Sequence, residues 1–362
     1  MNFMQDMTKG SPLRLLVSFS IPLLIGSLFQ QFYTMADSII VGKFVGAGAL
    51  ASIGACSSVI YLLFSLFFGL SAGIGIVISQ YFGAGDGSAV RRGIACSVYL
   101  LAAASLLLTL IGLVFARPIL TILGTPSEIM GDAAAYFQIT SAGLVAVAFY
   151  NGISSVLRAL GDSKTPLIFL ALAALLNVGL DLLFVPVFHM GVAGAALATA
   201  IAQFASACTC LVFSIRTNPY FRIRREDFRP SAGLIRQMLH IGLPLGLQNA
   251  MIAFSCVMLQ VVINSFGTVI VAVFTATNRI ENLVNQIYIA ANTALSNFTA
   301  QNLGAGNTDR VRAGTRCCLK ITTGFSLAMI AVMFLLGRLF MSWFVTDVAV
   351  IETGAKALKL IS

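Results

Sequence analysis

Apolar runs of about twenty residues or more recur along the whole chain and are separated by short polar segments. A run of this length is enough for an α-helix to cross the hydrocarbon core of a bilayer, whereas a membrane β-barrel would show alternating segments of about ten residues. The pattern predicts nine full helical spans and the start of a tenth near residue 348. The approximate bounds of the nine spans are 15–41, 50–80, 93–116, 133–157, 166–187, 191–215, 237–265, 268–300 and 317–344.

The composition agrees with this pattern. Of the 362 residues, 58% are hydrophobic and 10% are charged, and the mean hydropathy is +0.94. Soluble domains carry about 25% charged residues. The sequence therefore predicts an all-α polytopic membrane protein rather than a soluble one.

The net charge of +9 is distributed unevenly between the two sides of the predicted spans. With the N-terminus in the cytoplasm, sixteen of the 22 Lys and Arg residues lie in cytoplasmic segments and three lie on the outer side, which follows the positive-inside rule. We therefore predict a multi-pass protein of the plasma (inner) membrane with a cytoplasmic N-terminus. The basic balance requires no nucleic-acid partner.

An internal repeat divides the chain. Residues 79–97 align with residues 300–318 at an offset of 221, with eight identities in nineteen positions, and Pro22 matches Pro244 at an offset of 222. An even number of spans per repeat preserves orientation, so the pattern predicts two pseudo-symmetric six-helix lobes related by an axis along the membrane normal. We predict an N-terminal lobe at 1–215, a basic cytoplasmic linker at 216–236 and a C-terminal lobe at 237–362. The second lobe is expected to be truncated in span ten, which leaves about nine and a half of twelve spans.

Three of the thirteen acidic residues, Asp37, Asp181 and Glu281, lie within predicted spans. Asn177 lies one helical turn before Asp181, on the same face of span five. At ~1.5 Å per residue, Asp37, Asp181 and Thr199 lie ~6, ~9 and ~12 Å from the outer ends of their spans. An unpaired carboxylate is costly in a bilayer, so we predict a cation site at Asp37, Asn177, Asp181 and Thr199 that binds Na⁺ or exchanges protons.

The residues leave other interpretations open. Asp37 could instead pair with Lys43, and Asp181 could cap polar backbone groups. Span eight is the most polar span, and its side chains either line a cavity or hold the second lobe together. We predict as possible cavity-lining residues the polar side chains Gln31, Tyr33, Gln248, Asn278, Arg279, Glu281 and Asn285.

Six segments together resemble the multidrug and toxic compound extrusion (MATE) transporters of bacteria. They are SIPLLIGSLFQQFYTMADSIIVGKFVG (20–46), YFGAGD (81–86), RALGDSKTP (158–166), LNVGLDLLFV (176–185), ATNRIENL (276–283) and QNLGAG (301–306). The resemblance implies twelve spans in two lobes. It also implies efflux of cationic amphiphilic compounds in exchange for Na⁺ or H⁺, with no cofactor besides the coupling ion.

The resemblance also assigns roles to residues. It implies an N-lobe cation site at Asp37, Asn177, Asp181 and Thr199, and a bend of span one at Pro22. One branch of the family carries a glutamate about eight residues after the span-seven proline, but here the segment NAMIAF (249–254) is apolar at that place. Coupling is therefore expected in the N-terminal lobe, in a protein that we expect to be a monomer with small-molecule cationic drugs and the lipid bilayer as its partners.

Three rival functions remain. A lipid-linked oligosaccharide flippase of the same superfamily would favour a cationic central cavity, which the two Asp, one Glu and one Arg of the spans do not supply. A membrane enzyme would need clustered catalytic groups, and the two histidines are scattered, so we expect no enzymatic activity. A scaffold or receptor would have no need of acids buried in a repeat.

Overall fold

The structure is a computed structural model that describes residues 4–342 and 348–361. Within these ranges the chain forms ten α-helices joined by short turns. The helices are α1 (Pro12–Phe44), α2 (Ala47–Gly83), α3 (Gly87–Ile122), α4 (Met130–Ala159), α5 (Lys164–Phe184), α6 (Gly191–Thr217), α7 (Ala232–Asn264), α8 (Thr268–Gly304), α9 (Thr308–Ser342) and α10 (Val348–Ile361).

Eight helices of the described ranges are long and apolar enough to cross a membrane, namely α1 to α7 and α9. The fold class predicted from the sequence, an all-α polytopic membrane protein, is thus confirmed. The predicted eighth span, α8, has 37 residues, but its charged and amide side chains keep it outside this set. The helix that begins at Val348 has 14 residues in the described range.

Local sequence signals explain where the helices begin and end. The Asp86 carboxylate accepts a hydrogen bond from the Ala89 backbone N–H at 2.9 Å and so caps α3. Ser231, which follows a proline, caps α7, so this helix begins five residues before the predicted start at 237. Helix α5 ends at Phe184 rather than near 187, because Pro186 has no backbone N–H with which to continue the helical hydrogen bonds.

The repeat appears as pairs of helices of matching length. Helices α1 and α7 both have 33 residues, α2 and α8 both have 37, and α3 and α9 have 36 and 35. The turns after α2 and α8 use Gly85 at φ 75° and Gly306 at φ 73°, a left-handed conformation that favours glycine. The two halves of the sequence therefore fold by the same local rules.

The two halves meet where α2 and α8 end, and the contact is symmetric. A Cβ at Gly83 would overlap the backbone oxygen of Gln301, and a Cβ at Gly304 would overlap the backbone oxygen of Gln80. Each of these residues corresponds to its counterpart at the repeat offset of 221. Glycine is therefore required on both sides of a backbone-to-backbone contact.

Helix α7, from the second half of the chain, packs against the first half. It packs mainly against α2, where a Cβ at Gly73 would lie 2.6 Å from the backbone nitrogen of Gly242. Helix α1 in turn packs against α5, α8 and α9. The assignment of residues 1–215 and 237–362 to separate lobes stays a prediction, while the segment between α6 and α7 runs from 218 to 231.

Candidate functional site

Asn177 and Asp181 lie one turn apart on the face of α5 that packs against other helices. Their exposed fractions are 2% and 0%. The Asn177 side-chain amide donates a hydrogen bond to the Thr199 hydroxyl of α6 at 3.2 Å. The i,i+4 spacing seen in the sequence thus places both α5 side chains in the protein interior, with Asn177 in contact with α6.

Asp37 joins this group from α1, which packs directly against α5. Its carboxylate interacts electrostatically with that of Asp181, and its Oδ1 atom is buried. The structure therefore brings together the four residues that the sequence grouped by depth, Asp37, Asn177, Asp181 and Thr199. Asp181 lies three residues before the last residue of α5, closer to the helix end than predicted, because α5 stops before Pro186.

The group, which we call the acid site, is rich in unsatisfied hydrogen-bond acceptors. Both carboxylate oxygens of Asp181, Oδ1 of Asp37 and Oδ1 of Asn177 are buried without a hydrogen-bond partner. Such a group costs roughly 1–3 kcal/mol when it is neutral and more when it is charged. Oxygens that converge in this way are suited to a cation or a proton.

The contacts of Asp37 and Asp181 do not support the alternative structural roles, an ion pair with Lys43 and the capping of backbone groups. The ion pairs among the described residues are Asp6–Lys9, Arg91–Asp227, Asp309–Arg312 and Arg338–Glu352, so Asp37 is not paired with Lys43. The Asp181 carboxylate accepts no backbone hydrogen bond, since both of its oxygens are unpartnered. Neither acid therefore has a purely structural partner in the described part of the chain.

Three residues of the site were not predicted. Gln203, one turn after Thr199 on α6, is buried with Oε1 unpartnered and lies beside the Tyr33 hydroxyl. Tyr136 of α4 interacts with Asp37 and with Thr140. The four-residue spacing from Thr199 could have identified Gln203, whereas Tyr136 and Thr140 are brought in only by the packing of α4.

The remaining sequence-predicted residues of α1 have different surroundings. Tyr33 lies at the acid site, while Gln31 is exposed on the other side of the helix. Pro22 is buried within a helix that runs without interruption from Pro12 to Phe44. Nearby, the Ser20 hydroxyl donates to the Ala290 carbonyl of α8 at 3.5 Å. The part of α1 around Pro22 therefore contacts the second half of the chain.

The polar residues of the second half do not form a comparable cluster. Gln248 is exposed on α7 next to apolar side chains such as Met251. On α8, Arg279, Glu281 and Asn285 are exposed and Asn278 is half-buried. None of the ion pairs in the described residues joins Arg279 to Glu281. This arrangement favours a polar surface over a network that holds the lobe together.

Among the described residues, no group of three or more His, Cys, Asp and Glu side chains could hold a metal ion. The acid site differs from such a group because it combines two carboxylates with amide and hydroxyl oxygens. This set suits a weakly held, exchangeable cation better than a resident transition metal.

Comparison with known proteins gives the same pattern of two repeats. The MatE family profile matches residues 22–183 and 244–362, so the two matches begin at the repeat-related Pro22 and Pro244. Among curated relatives, "Probable multidrug resistance protein YpnP" of Bacillus subtilis (strain 168) is 32% identical over 99% of this chain and 80% of that protein. "Multidrug export protein MepA" of Staphylococcus aureus (strain MRSA252) is 24% identical over 97% of this chain and 78% of that protein.

Solved structures are similar to this chain over nearly its whole length. "Crystal structure of MATE in complex with MaD3S" has a TM-score of 0.90 and 26% identity, and covers 98% of this chain and 79% of that chain. A MOP superfamily transporter from Pyrococcus furiosus has a TM-score of 0.90 and 26% identity over 99% of this chain and 81% of that chain. With its helical fold, its repeat and both profile matches, the chain belongs to the MatE family of multi-pass membrane proteins.

Proposed function

We propose that this protein is a secondary active antiporter that exports cationic amphiphilic compounds in exchange for Na⁺ or H⁺. The observation that carries the proposal is the acid site, where Asp37, Asp181 and Asn177 hold buried oxygens without hydrogen-bond partners. An apolar protein interior tolerates such oxygens when a cation or a proton occupies them for part of the cycle. The curated relatives are named as multidrug resistance and export proteins, which supports drugs as the substrate class.

The packing suggests how binding is coupled to movement. Asp37 is on α1, whereas Asp181 and Thr199 are on α5 and α6, so an ion that binds all three fixes α1 against the other two helices. Pro22 lies in the N-terminal half of α1, away from Asp37, and has no backbone N–H. The helix can therefore bend in this region. Ion binding at one end of α1 would thus change the contact that α1 makes with α8.

We propose that the protein works as a monomer in the plasma (inner) membrane with its N-terminus in the cytoplasm. The distribution of Lys and Arg supports this orientation. The acid site then lies in the outer half of the membrane, and the Gly83–Gln301 contact lies on the cytoplasmic side. Exchange of substrate with the cytoplasm would require this contact to open.

The test uses the purified protein in proteoliposomes that contain ethidium. A Na⁺ gradient and a pH gradient are imposed separately, and dye movement is recorded for the wild type, for Asp181→Asn and for Asp132→Asn. Asp132 is an exposed acid in the first turn of α4 and serves as the matched control. We expect one gradient to drive dye movement in the wild type and in Asp132→Asn, and Asp181→Asn to fall to the rate of empty liposomes.

Two outcomes would contradict the proposal. Gradient-driven flux in Asp181→Asn at the wild-type rate would remove the acid site from coupling. No dye flux under either gradient, with folded protein present, would favour the lipid-linked oligosaccharide flippase. The Pyrococcus furiosus transporter is described as having a binding pocket of reversed polarity that suggests a different function.

A further inference from the structure

A cavity that none of the acid-site residues lines lies under the segment that connects α6 to α7. Helix α4 packs against both α3 and α6, but in the described residues no Cα pair within 8 Å joins α3 to α6. This leaves a cavity of about 950 Å³ along α4. Residues 219–228 cover its end. They form a turn of 3₁₀-helix, Pro219–Phe221, followed by an irregular segment. We call this cavity the linker groove.

The linker groove is apolar over most of its length. Its walls come from Ile94, Val98 and Leu101 of α3, from residues within 149–156 of α4, and from Leu211 and Ile215 of α6. From Arg91 to Leu101 the groove follows α3 for ~15 Å, about half the thickness of the hydrocarbon core. Leu211 and Ile215 are 38% and 43% exposed, so the groove is open on the side where lipid surrounds the helices. These dimensions suit an acyl chain within one leaflet.

The covered end of the groove is positively charged. Arg91, Arg222 and Arg224 line it. Asp227 opposes them, with its Oδ2 atom 3.5 Å from the Arg91 Nε atom and 2.9 Å from the backbone nitrogen of Arg224. One carboxylate leaves an excess of two positive charges, and the buried Nε atom of Arg91 still has no hydrogen-bond partner. An anion at this end would supply the missing acceptor.

The cover is held in place by contacts with α3 and α2. The Tyr99 hydroxyl donates to the Phe228 carbonyl at 2.9 Å, and the two rings meet edge to face at 6.5 Å. Phe82 meets Tyr220 in the same way at 5.6 Å. Because the segment is fixed, the exposed side chains of Arg222 and Arg224 are held at the end of the groove.

From this juxtaposition of an apolar groove with an arginine-rich end, we propose that the linker groove binds an anionic phospholipid of the cytoplasmic leaflet. The headgroup phosphate binds Arg222 and Arg224 near Arg91, and one acyl chain lies along α4 between α3 and α6. The charge excludes cationic substrates from this cavity. The proposal is independent of which ion or drug the protein transports.

The test uses phosphatidylglycerol with a diazirine in one acyl chain, added to the purified protein, irradiated and located by mass spectrometry. We expect labelling within residues 94–101, 149–156 and 211–215, and weak labelling of these segments by phosphatidylcholine with the same photoreactive chain. Unlabelled phosphatidylglycerol should compete, while inorganic phosphate should not. Displacement of the label by inorganic phosphate alone would instead indicate a site for a free anion.

Two variants test the binding of the lipid headgroup and the binding of its acyl chain separately. Arg222→Gln/Arg224→Gln should reduce groove labelling about fivefold for each arginine. Arg225→Gln/Arg229→Gln makes the same charge change at exposed residues of the same segment that do not line the groove, and should retain labelling. Val98→Trp, which fills the groove, should abolish labelling there and leave it elsewhere. Equal labelling by both lipids, or equal loss in both double variants, would overturn the proposal.

Discussion

Two groups of buried polar side chains invite comparison, the acid site and the contact between the two halves of the chain. Gln301 and Asn302, at the end of α8, are as buried as Asp181, with exposed fractions of 0%. Yet Gln301 accepts from the Met7 backbone N–H at 2.9 Å and donates to the Ala159 carbonyl at 2.8 Å. Asn302 donates to the Met7 carbonyl at 3.1 Å. At the acid site, by contrast, Asp181 has no partner for either oxygen.

The difference lies in hydrogen bonding and not in burial. A buried amide whose donors and acceptors are all paired stabilises one arrangement of the chain and resists change. A buried carboxylate without partners destabilises the empty state and gains most from a ligand. We infer that the α8 contact holds the two halves together in this conformation, while the acid site is where binding energy changes that conformation.

The largest effect is expected for Gly83→Val and Gly304→Val. Each added side chain would overlap a backbone oxygen, of Gln301 and of Gln80 respectively, which a side-chain movement cannot relieve. Each variant should lose more than about 3 kcal/mol of unfolding free energy, measured by denaturation in mixed micelles. Gly324→Ala on α9, where a Cβ would meet nothing within 4 Å, is the control and should not destabilise the protein. A symmetric contact requires similar losses, so tolerance of one valine and not the other would contradict it.

The next largest effect is expected for Gln301→Ala, which leaves the Met7 N–H and the Ala159 carbonyl unpaired. The expected loss of unfolding free energy is about 2 kcal/mol. Gln80, its counterpart in the repeat, is half-buried, and the described residues offer its side chain no hydrogen bond. Gln80→Ala should therefore cost much less in the same denaturation series. Equal losses would show that the hydrogen bonds across the contact contribute little.

A smaller effect is expected for Thr199→Val, which keeps the shape of the side chain but removes the acceptor of the Asn177 amide. The unfolding free energy should fall by about 1 kcal/mol, and the half-saturating concentration of the coupling ion should rise about fivefold. Flux against Na⁺ concentration and against pH measures the second quantity. Thr209→Val, at an exposed position of α6, is the control. An unchanged half-saturation would exclude Thr199 from the ion site.

The smallest effect on stability is expected for Asp181→Asn, even though this change should abolish coupled transport. The amide is isosteric with the carboxylate and carries no charge into the protein interior, so the unfolding free energy should equal or slightly exceed that of the wild type. Denaturation without coupling ion makes the comparison. If Asp181→Asn lowered the unfolding free energy by about 2 kcal/mol or more, the Asp181 carboxylate would have a structural partner, because removal of a buried hydrogen-bonding group has a cost of this size.

The order and type of the elements followed from the sequence because each depends on neighbouring residues. Apolar runs predicted the helices, and the GAG turns and the proline pair predicted the repeat that the matched helix lengths reproduce. The grouping of Asp37, Asn177, Asp181 and Thr199 also came from the sequence, since ~1.5 Å per residue fixes depth along a helix. The errors were local. Predicted spans missed the cap at Ser231 and the stop before Pro186.

Depth along a helix says nothing about rotation around it or about which helices are neighbours. Only the packing of α4 against α6, and of α6 against α5 and α1, brought Tyr136 and Gln203 to the acid site. Only side-chain contacts showed that Asp37 does not pair with Lys43. Likewise, the sequence predicted only a basic cytoplasmic linker between α6 and α7, and the fold placed Arg222 and Arg224 of that linker at the end of a groove. The helices, the repeat and the depth of the acids could be predicted from the sequence, because they depend on local order along the chain. Which buried oxygens lack a partner became known only from the packing, because it depends on residues far apart in the chain.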